Sequence, residues 1–396
     1  MATRYELLVR DHAGTIVARF PAWRRLEYTL RLNAVDGTVL VLDDTPPPLI
    51  ATQSTVATLF CPTAEPVDRQ IEVWRWDVAA TPPIARYCDC YAFHRTQVRQ
   101  ADSNGLGIFT SYGAGLNDLL ARRGIWQYAG SAEADKSGAG ETVIKAYVDE
   151  NAGPGATSPP RVGASGVTTG LTIEADAAAG ATWEGSRAWK GLLETVQEIA
   201  NATALDFGVV KSGDAAFEFQ VRPIWGDDRS TTGLVPATGL NAAGNAPVIF
   251  ALGFANMAIP TYSLNRTNEV NTVLVLGQGQ ESDRTVQQVT EAASITASPW
   301  NRREASRNAN QESTTAGLTA VGESLLAELT PRESLTFQVL QTNACRYGRE
   351  YFLGDLITAR YGEIERTLQI TEVRVVVEGL TEQIDVTVTD IHEDEG

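Results

Sequence analysis

The sequence predicts a mainly β fold with α+β insertions, in which the two ends of the chain form small β-barrels around a middle α/β region. Three observations predict it. Leu26, Tyr28, Leu30 and Leu32 alternate strictly with Glu27, Thr29 and Arg31, the period of a strand with one face in a core. Short apolar runs bounded by turn residues recur up to residue 113 and return after 266. Helical spacing is confined to the middle of the chain and to a stretch near residue 320.

Taken in order, YELLVRD, TIVARF, RLEYTLRL, TVLVLD, VATLF, QIEVWRW and ARYCDCYAFH read as strands, broken by Asp36–Gly37 and by the Pro46-Pro47-Pro48 loop. Strands this short and close point to a barrel or a sandwich over 1–113. Trp74 and Trp76 share a strand face, which core packing explains, and Cys88 and Cys90 fall on one face as semi-buried cysteines. Gly115–Leu120 begins a short helix, and the tract GPGATSPPRVGASG reads as an exposed loop because it has no face to bury. With Ser186 as N-cap, Trp189, Leu192, Leu193, Val196 and Ile199 form one amphipathic helix, and Phe217, Phe219 and Val221 a returning strand.

The last third opens with NTVLVLGQGQ, a strand ending in a tight turn, followed by the polar stretch NRREASRNANQEST. Leu318, Val321, Leu325 and Leu329 then keep helical spacing until Pro331 stops the helix. A strand follows whose apolar parity switches between Ile370 and Val373, as a bulge at Thr371–Glu372 requires. It turns at Glu378-Gly379-Leu380 into a hairpin with Ile384, Val386 and Val388 on one face. The expected domains are 1–113 (a β-barrel), 114–265 (a middle α+β domain) and 266–396 (a second β-barrel).

The 396 residues carry 32 Lys and Arg against 49 Asp and Glu, a net charge of −17, which argues against nucleic acid as a specific partner. The imbalance is uneven: 11 basic against 12 acidic residues in 1–113, but 11 against 21 in 266–396. The first third is therefore the expected docking region, and 28 of the basic residues are Arg, the side chain suited to bidentate pairing at interfaces. The charged N-terminus predicts no signal peptide. No apolar run approaches the ~20 residues of a membrane span, so no membrane-spanning segment is expected.

No residue set predicts chemistry. Gly277-Gln278-Gly279 follows a strand, but a dinucleotide fingerprint needs a third small residue and then a helix; Ser282 stands at that place and no helical stripe follows. His12 lies in a turn, His94 in a strand and His392 in the acidic tail, and none belongs to a nucleophile or zinc-protease motif. Cys88, Cys90 and His94 lack metal-ligand spacing, and Asp227–Asp228 reads as a solvated turn. The expectation is no catalytic residue, no cofactor and no metal.

Five stretches carry a resemblance: FPAWRRLEYTLRLNAVDGTVLVL at 20–42, GLNDLLARRGIW at 115–126, VIKAYVDEN at 143–151, NEVNTVLVLGQGQESDR at 268–284 and YGREYFLGDLITARYGEIERTLQITEVRV at 347–375. In this order the chain resembles the siphophage tail-tip hub family, whose members look like the N-terminal hub portion of tail-associated lysins and are similar to the baseplate hub of contractile phages. The resemblance implies a bacteriophage structural protein of the virion, assembled in the host cytoplasm. It would be a homotrimeric hub joining the tail tube or distal tail ring to tape measure, tip or fibre proteins. It also implies that Gly354–Asp355 is a turn entering a strand. The sequence ends soon after the hub hairpin, so no hydrolase module is expected. The alternatives are a tail-associated cell-wall hydrolase and a carbohydrate-binding receptor protein, whose sugar stacking the eight Trp residues could serve.

Overall fold

The computed structural model describes residues 3–44, 56–61, 69–78, 83–126, 133–156, 171–279, 283–296, 300–310, 314–329, 331–379 and 381–390. The secondary structure is mainly β. Two compact units emerge, residues 1–258 with 338–388, and residues 259–337 with 389–396; the sequence had suggested boundaries at 113 and 265.

The larger unit begins with β1 (Thr3–Arg10), β2 (Ile16–Phe20), β3 (Arg25–Arg31), β4 (Gly37–Asp43), α1 (Val56–Phe60), β5 (Gln70–Asp77), β6 (Ile84–Ala101) and β7 (Gly107–Gly115). It continues with α2 (Asp118–Ala121), β8 (Ala134–Ala139), α3 (Gly140–Asn151), β9 (Leu171–Ile173), β10 (Thr182–Arg187), α4 (Leu192–Thr203), β11 (Asp206–Gly213), β12 (Ala216–Arg222) and β13 (Ile249–Ala251). The smaller unit is built around β14 (Met257–Asn265), β15 (Thr272–Leu276), β16 (Val286–Thr290), α5 (Ala292–Thr296), β17 (Glu304–Asn308), α6 (Thr315–Glu328) and β18 (Arg332–Val339). The chain then returns to the larger unit with β19 (Leu356–Tyr361), β20 (Ile364–Glu378) and β21 (Thr381–Asp390).

One sheet of the larger unit takes strands from both ends of the chain, in the order β13-β19-β20-β3-β4-β7-β6-β5-β1-β2, with β21 also on β20. The terminal regions therefore share a ladder: β20 pairs antiparallel with β3 from Glu372↔Arg31 to Val377↔Leu26. Among the described residues this ladder does not close into a ring. One face is apolar, with Leu7, Val9, Leu26, Leu40, Val73, Phe109, Val373 and Val375 essentially inaccessible. At about 25 cal/mol per Å² of apolar surface, this burial is the main stabilising term of the sheet. The parity switch of β20 is present: Leu368 and Ile370 are buried, then Val373, Val375 and Val377.

Two local expectations are corrected. VATLF is the helix α1, not a strand, because Val56, Ala57, Leu59 and Phe60 are all buried, as a short helix plugged into apolar surroundings allows. The amphipathic helix starts at Leu192 with Gly191 as N-cap; Ser186 belongs to β10, and Trp189 precedes the helix in a left-handed conformation (φ 61°), 71% exposed. The polar stretch 301–314 contains β17, which pairs parallel with β15.

The middle of the larger unit is α+β. Helices α3 and α4 pack with β9, β11 and β12 over a core that includes Ile144, Tyr147, Val148, Val196, Ile199 and Phe219. Of the glycine-rich tract, residues 157–166 lie outside the described residues. In the smaller unit α6 covers the β16-β15-β17 sheet with Leu318 and Leu325 against Val273 and Val275. Gly322 permits the approach, since a Cβ there would stand 2.4 Å from a Val289 methyl carbon.

Candidate functional site

The group that stands out inside the larger sheet is polar. Strand β5 buries Ile71, Val73, Arg75 and Asp77 on one face and leaves Trp74 and Trp76 only half-buried on the other. The expectation that Trp74 and Trp76 are core residues is thus corrected. The Arg86 guanidinium lies 4.0 Å from the centre of the Trp74 ring, and the Trp74 indole N–H donates to Glu72 at 2.8 Å.

Arg75 is 5% exposed. Its guanidinium donates to Glu382 Oε1 at 2.9 Å, to the Tyr347 carbonyl at 3.0 Å and to the Tyr87 hydroxyl at 3.3 Å. It also lies over the Tyr347 ring, 5.2 Å from its centre. Glu382, on β21, accepts in turn from the Tyr5 hydroxyl and, at 3.3 Å, from Thr3 Oγ1, both on β1. Beside this group Asp89 accepts from the hydroxyls of Tyr28 and, at 2.7 Å, Tyr347.

A bulge delivers Asp89. In the β5–β6 ladder Val73 faces Cys90 and Trp74 faces Cys88, so Asp89 is the extra residue without a partner. Such an insertion re-aims a side chain. It also breaks the alternation that would place Cys88 and Cys90 on one face: Cys90 is buried and Cys88 exposed, which corrects that expectation. Burial raises the Asp89 carboxyl above its ordinary value, against Arg75 and the two phenols, which act to lower it. Burial also holds Tyr5, Tyr28 and Tyr347 well above the usual phenol range, so each remains a hydrogen-bond donor.

This arrangement neutralises charge and ties strands together. The Asp89 and Glu382 oxygens named above accept from protein donors. The seam fastens β1 and β5 to β21 and the Tyr347 segment, elements up to 379 residues apart in sequence. The larger sheet thereby curls: along β21-β20-β3-β4-β7-β6-β5-β1 the two end strands meet through the Glu382 bonds. They meet on the half of β1 that β2 does not cover, since β2 pairs only with residues 7–10.

The residues weighed for chemistry lie apart from one another. His12 is exposed in the turn between β1 and β2, and His94 is buried with its Nδ1 2.6 Å from Ser111 Oγ and its ring against Phe60; His392 lies outside the described residues. Asp227 bonds Arg229 at 2.9 Å, and Asp228 Oδ1 accepts from the Ser230 amide at 2.9 Å, so the acidic pair serves a turn. Gly277 and Gly279 close the β15–β16 hairpin, where Gly277 N–H donates to the Thr285 carbonyl and Gly279 has φ 106°. A strand follows, and Ser282 lies outside the described residues.

Gly354 (φ 87°) and Asp355 form the expected turn into β19. Asp355 accepts from the amides of Asp227 at 2.7 Å and Phe352 at 2.9 Å. A cleft of about 500 Å³ beside α3 is lined by Lys145, Asp149, Glu174 and Asp176, but Lys145 is bonded to Glu141 at 2.5 Å and Glu174 is paired with Arg222. Among the described residues no group of three or more His, Cys, Asp or Glu could hold a metal ion, and no helix is long and apolar enough to cross a membrane.

Residues 90–388 match the family model described as Siphovirus ReqiPepy6 Gp37-like protein. The chain belongs to this siphovirus tail protein family. Its fold is that of phage tail proteins. The 43 kDa tail protein of prophage MuSo2 from Shewanella oneidensis superposes with a TM-score of 0.52 at 10% identity, covering 98% of this chain and 99% of that one. The tail protein from Neisseria meningitidis MC58 gives 0.50 at 13% identity, over 97% and 96%. A chain of the Francisella PdpA–VgrG complex gives 0.52 at 8% identity, over 98% of this chain and 53% of that one. No curated protein gives a significant match. The family and fold make the chain a phage tail or baseplate-like structural protein. The seam was not legible in the sequence, although one signal existed: Arg75 and Asp77 share a strand parity with Ile71 and Val73.

Proposed function

We propose that this member of the siphovirus tail family is the hub of the tail tip: a homotrimer in the virion, assembled in the host cytoplasm and without an enzymatic activity of its own. It joins the tail tube or distal tail ring to tip or fibre proteins and neighbours the tape measure protein. The observation that carries this reading is the sheet curled from both ends of the chain and locked by Arg75, Glu382 and Asp89, since a curved, fastened wall of this kind suits a ring element.

On this reading the sheet that the two terminal regions build together supplies one barrel-like hub element per subunit, and three subunits present three such elements to the tube. The nearly neutral, Arg-bearing first region carries the tube-facing contacts, and the middle segment 114–265 stands outside the ring. Cyclic symmetry makes each subunit contact heterologous and closed.

The test is a density map of the tail tip in the intact particle. Three copies of the chain in one ring, with residues 1–113 toward the tube, are expected. A two-fold arrangement, a ring of six copies, or residues 114–265 lining the tube would overturn the proposal.

A further inference from the structure

We propose that the turn joining β3 to β4, residues 32–36, is a pH-sensitive joint: it clasps the middle region to the larger sheet in mild acid and loosens as pH rises past neutrality. The joint needs neither a trimer nor a tail tube, so it stands apart from the hub reading.

The clasp caps a strand edge. Strand β11 is an outer strand of the β11-β12-β9 sheet, and its ladder with β12 leaves alternate backbone groups on the other side. An edge of this kind needs a cover. Two asparagines supply it: the Phe207 amide donates to Asn33 Oδ1 at 2.8 Å, and the Val209 amide to Asn117 Oδ1 at 2.9 Å. The turn and the middle region are bonded in both directions. Asn33 Nδ2 donates to Asp206 Oδ1 at 2.9 Å, Gln197 Nε2 of α4 to the Asn33 carbonyl at 2.9 Å, and Asn117 Nδ2 to the Ala34 carbonyl at 2.8 Å. Asn33 takes up this position in a left-handed conformation (φ 56°), which a short polar side chain tolerates.

Two carboxyls sit in the joint. Asp36 ends the turn, with its Oδ1 accepting from the Arg31 amide at 2.6 Å. Gly115, where the chain leaves β7 for the middle region, closes over it. A Cβ on Gly115 would stand 2.5 Å from the Asp36 Cβ, and the Gly115 amide donates to the Asp36 carbonyl at 3.0 Å. Asp206 is buried and accepts from Asn33, from the Trp225 amide at 2.9 Å and from Gln369 Nε2 of β20 at 2.7 Å. Among the described residues neither carboxyl has an ion-pair partner. The charged and titratable groups around Asp36 are the Arg31 guanidinium, which Glu372 of β20 holds at 2.8 Å, and the buried Cys90 thiol of β6, which burial keeps protonated. The groups bonded to Asp206 are all neutral.

Burial raises Asp36 to about 7 from an ordinary 3.8 and lifts Asp206 as well. Ionising either group costs less once the middle region lifts and water reaches the carboxyl, so opening of the joint is linked to loss of a proton. A raised acid contributes stability that is complete below its ordinary value and is lost as pH increases through the raised one. With these two values for the closed and open joint, Asp36 alone weakens the clasp about tenfold between pH 6 and pH 8.

Hydrogen exchange on the full chain, corrected for the intrinsic rate at each pH, reads the Phe207 and Val209 amides. Both are expected to open locally, with less protection than Leu40 and Val73 of the larger sheet and little dependence on low urea. Their protection falls about tenfold from pH 6 to pH 8, while Val273 and Val275 of the smaller unit keep theirs. Asp36→Asn, which keeps an oxygen for the Arg31 amide, removes most of that fall. Gln197→Ala lowers protection by the same factor at both pH values and leaves the fall in place. Circular dichroism and melting establish that each variant is folded. Protection that is the same at both pH values in the native chain, a fall that persists in folded Asp36→Asn, or exchange of Phe207 and Val209 only through global unfolding overturns the proposal.

Discussion

Replacing Arg75 by Met tests whether the polar seam holds the larger unit together. The substitution keeps the length of the side chain and removes its charge and five donors. Glu382, 12% exposed, then loses its cation and keeps only hydroxyl donors, while the Tyr347 carbonyl loses its donor. Removing one partner of a buried pair costs about 3–5 kcal/mol, because the remaining charge stays desolvated. At roughly 2 °C per kcal/mol for a unit of this size, the melting temperature falls by about 6–10 °C. The second arm is the double variant Arg75→Met with Glu382→Leu, which leaves no unpaired charge at that point and recovers most of the loss, as apolar replacement of a buried pair generally does.

Differential scanning calorimetry at neutral pH, with urea unfolding as a check, reads both arms. Asp89 adds a pH signature. Its carboxyl is raised by burial in the folded state and lowered by Arg75, so in Arg75→Met it rises further. A raised acid contributes stability that is complete below the unfolded value and is lost as pH increases through the folded one, so the variant's deficit grows from acid toward neutral pH. A loss below about 1 kcal/mol, or losses in the two substitutions that simply add, would refute the seam as a stabilising unit.

Two other outcomes follow from the same geometry. Burial raises Asp36 to about 7 from an ordinary 3.8, so native stability should decline as pH rises between those values; Asp36→Asn, which keeps an oxygen for the Arg31 amide, should flatten that part of the pH–stability curve, and an unchanged curve speaks against it. Gly226→Ala should destabilise by about 1–3 kcal/mol in urea unfolding, since its Cβ would stand 2.4 Å from the Asp355 amide nitrogen. Gly362→Ala, in open space at φ 61°, carries only the left-handed penalty of about 1–2 kcal/mol; a clearly larger loss at Gly362 than at Gly226 contradicts the packing argument.

What the sequence revealed depended on the range of the interaction. Alternation placed β3, β12 and β21, and the parity switch located the irregularity of β20, because side-chain period is a local property of the strand. Helix α6 was equally legible, with its stripe ending before Pro331. VATLF was misread because five apolar residues have no period to measure, and length alone does not separate a strand from a buried turn of helix. The helix α4 was begun too early because Trp189 happens to fall on its spacing, while a left-handed residue and a glycine precede the true start.

The polar seam was hidden for a different reason. Arg75 and Asp77 look like the solvent face of a strand whose tryptophans belong inside, and only Glu382 and Tyr347, some 300 and 270 positions away, reverse that assignment. Asp89 acquires its place through a bulge that nothing in the order Cys88-Asp89-Cys90 announces.

The dependence of Arg75 on residues near the other end of the chain also constrains how the larger unit can form. Strands β1 to β7 are contiguous in sequence and can pair early, but until β20 and β21 arrive their sheet has Arg75 facing its apolar side without Glu382, and β3 without the partner that covers its edge. The intermediate sheet is therefore penalised at its own centre and cannot be a stable end point. Completion requires loop closure over more than 300 residues, which costs little more than closure over half that length because the entropy grows only with the logarithm of the span. An apolar residue at position 75 would remove the penalty and let the N-terminal sheet persist unfinished, with an open edge at β3 able to pair with another copy. The buried charge thus ties completion of the wall to the presence of both chain ends.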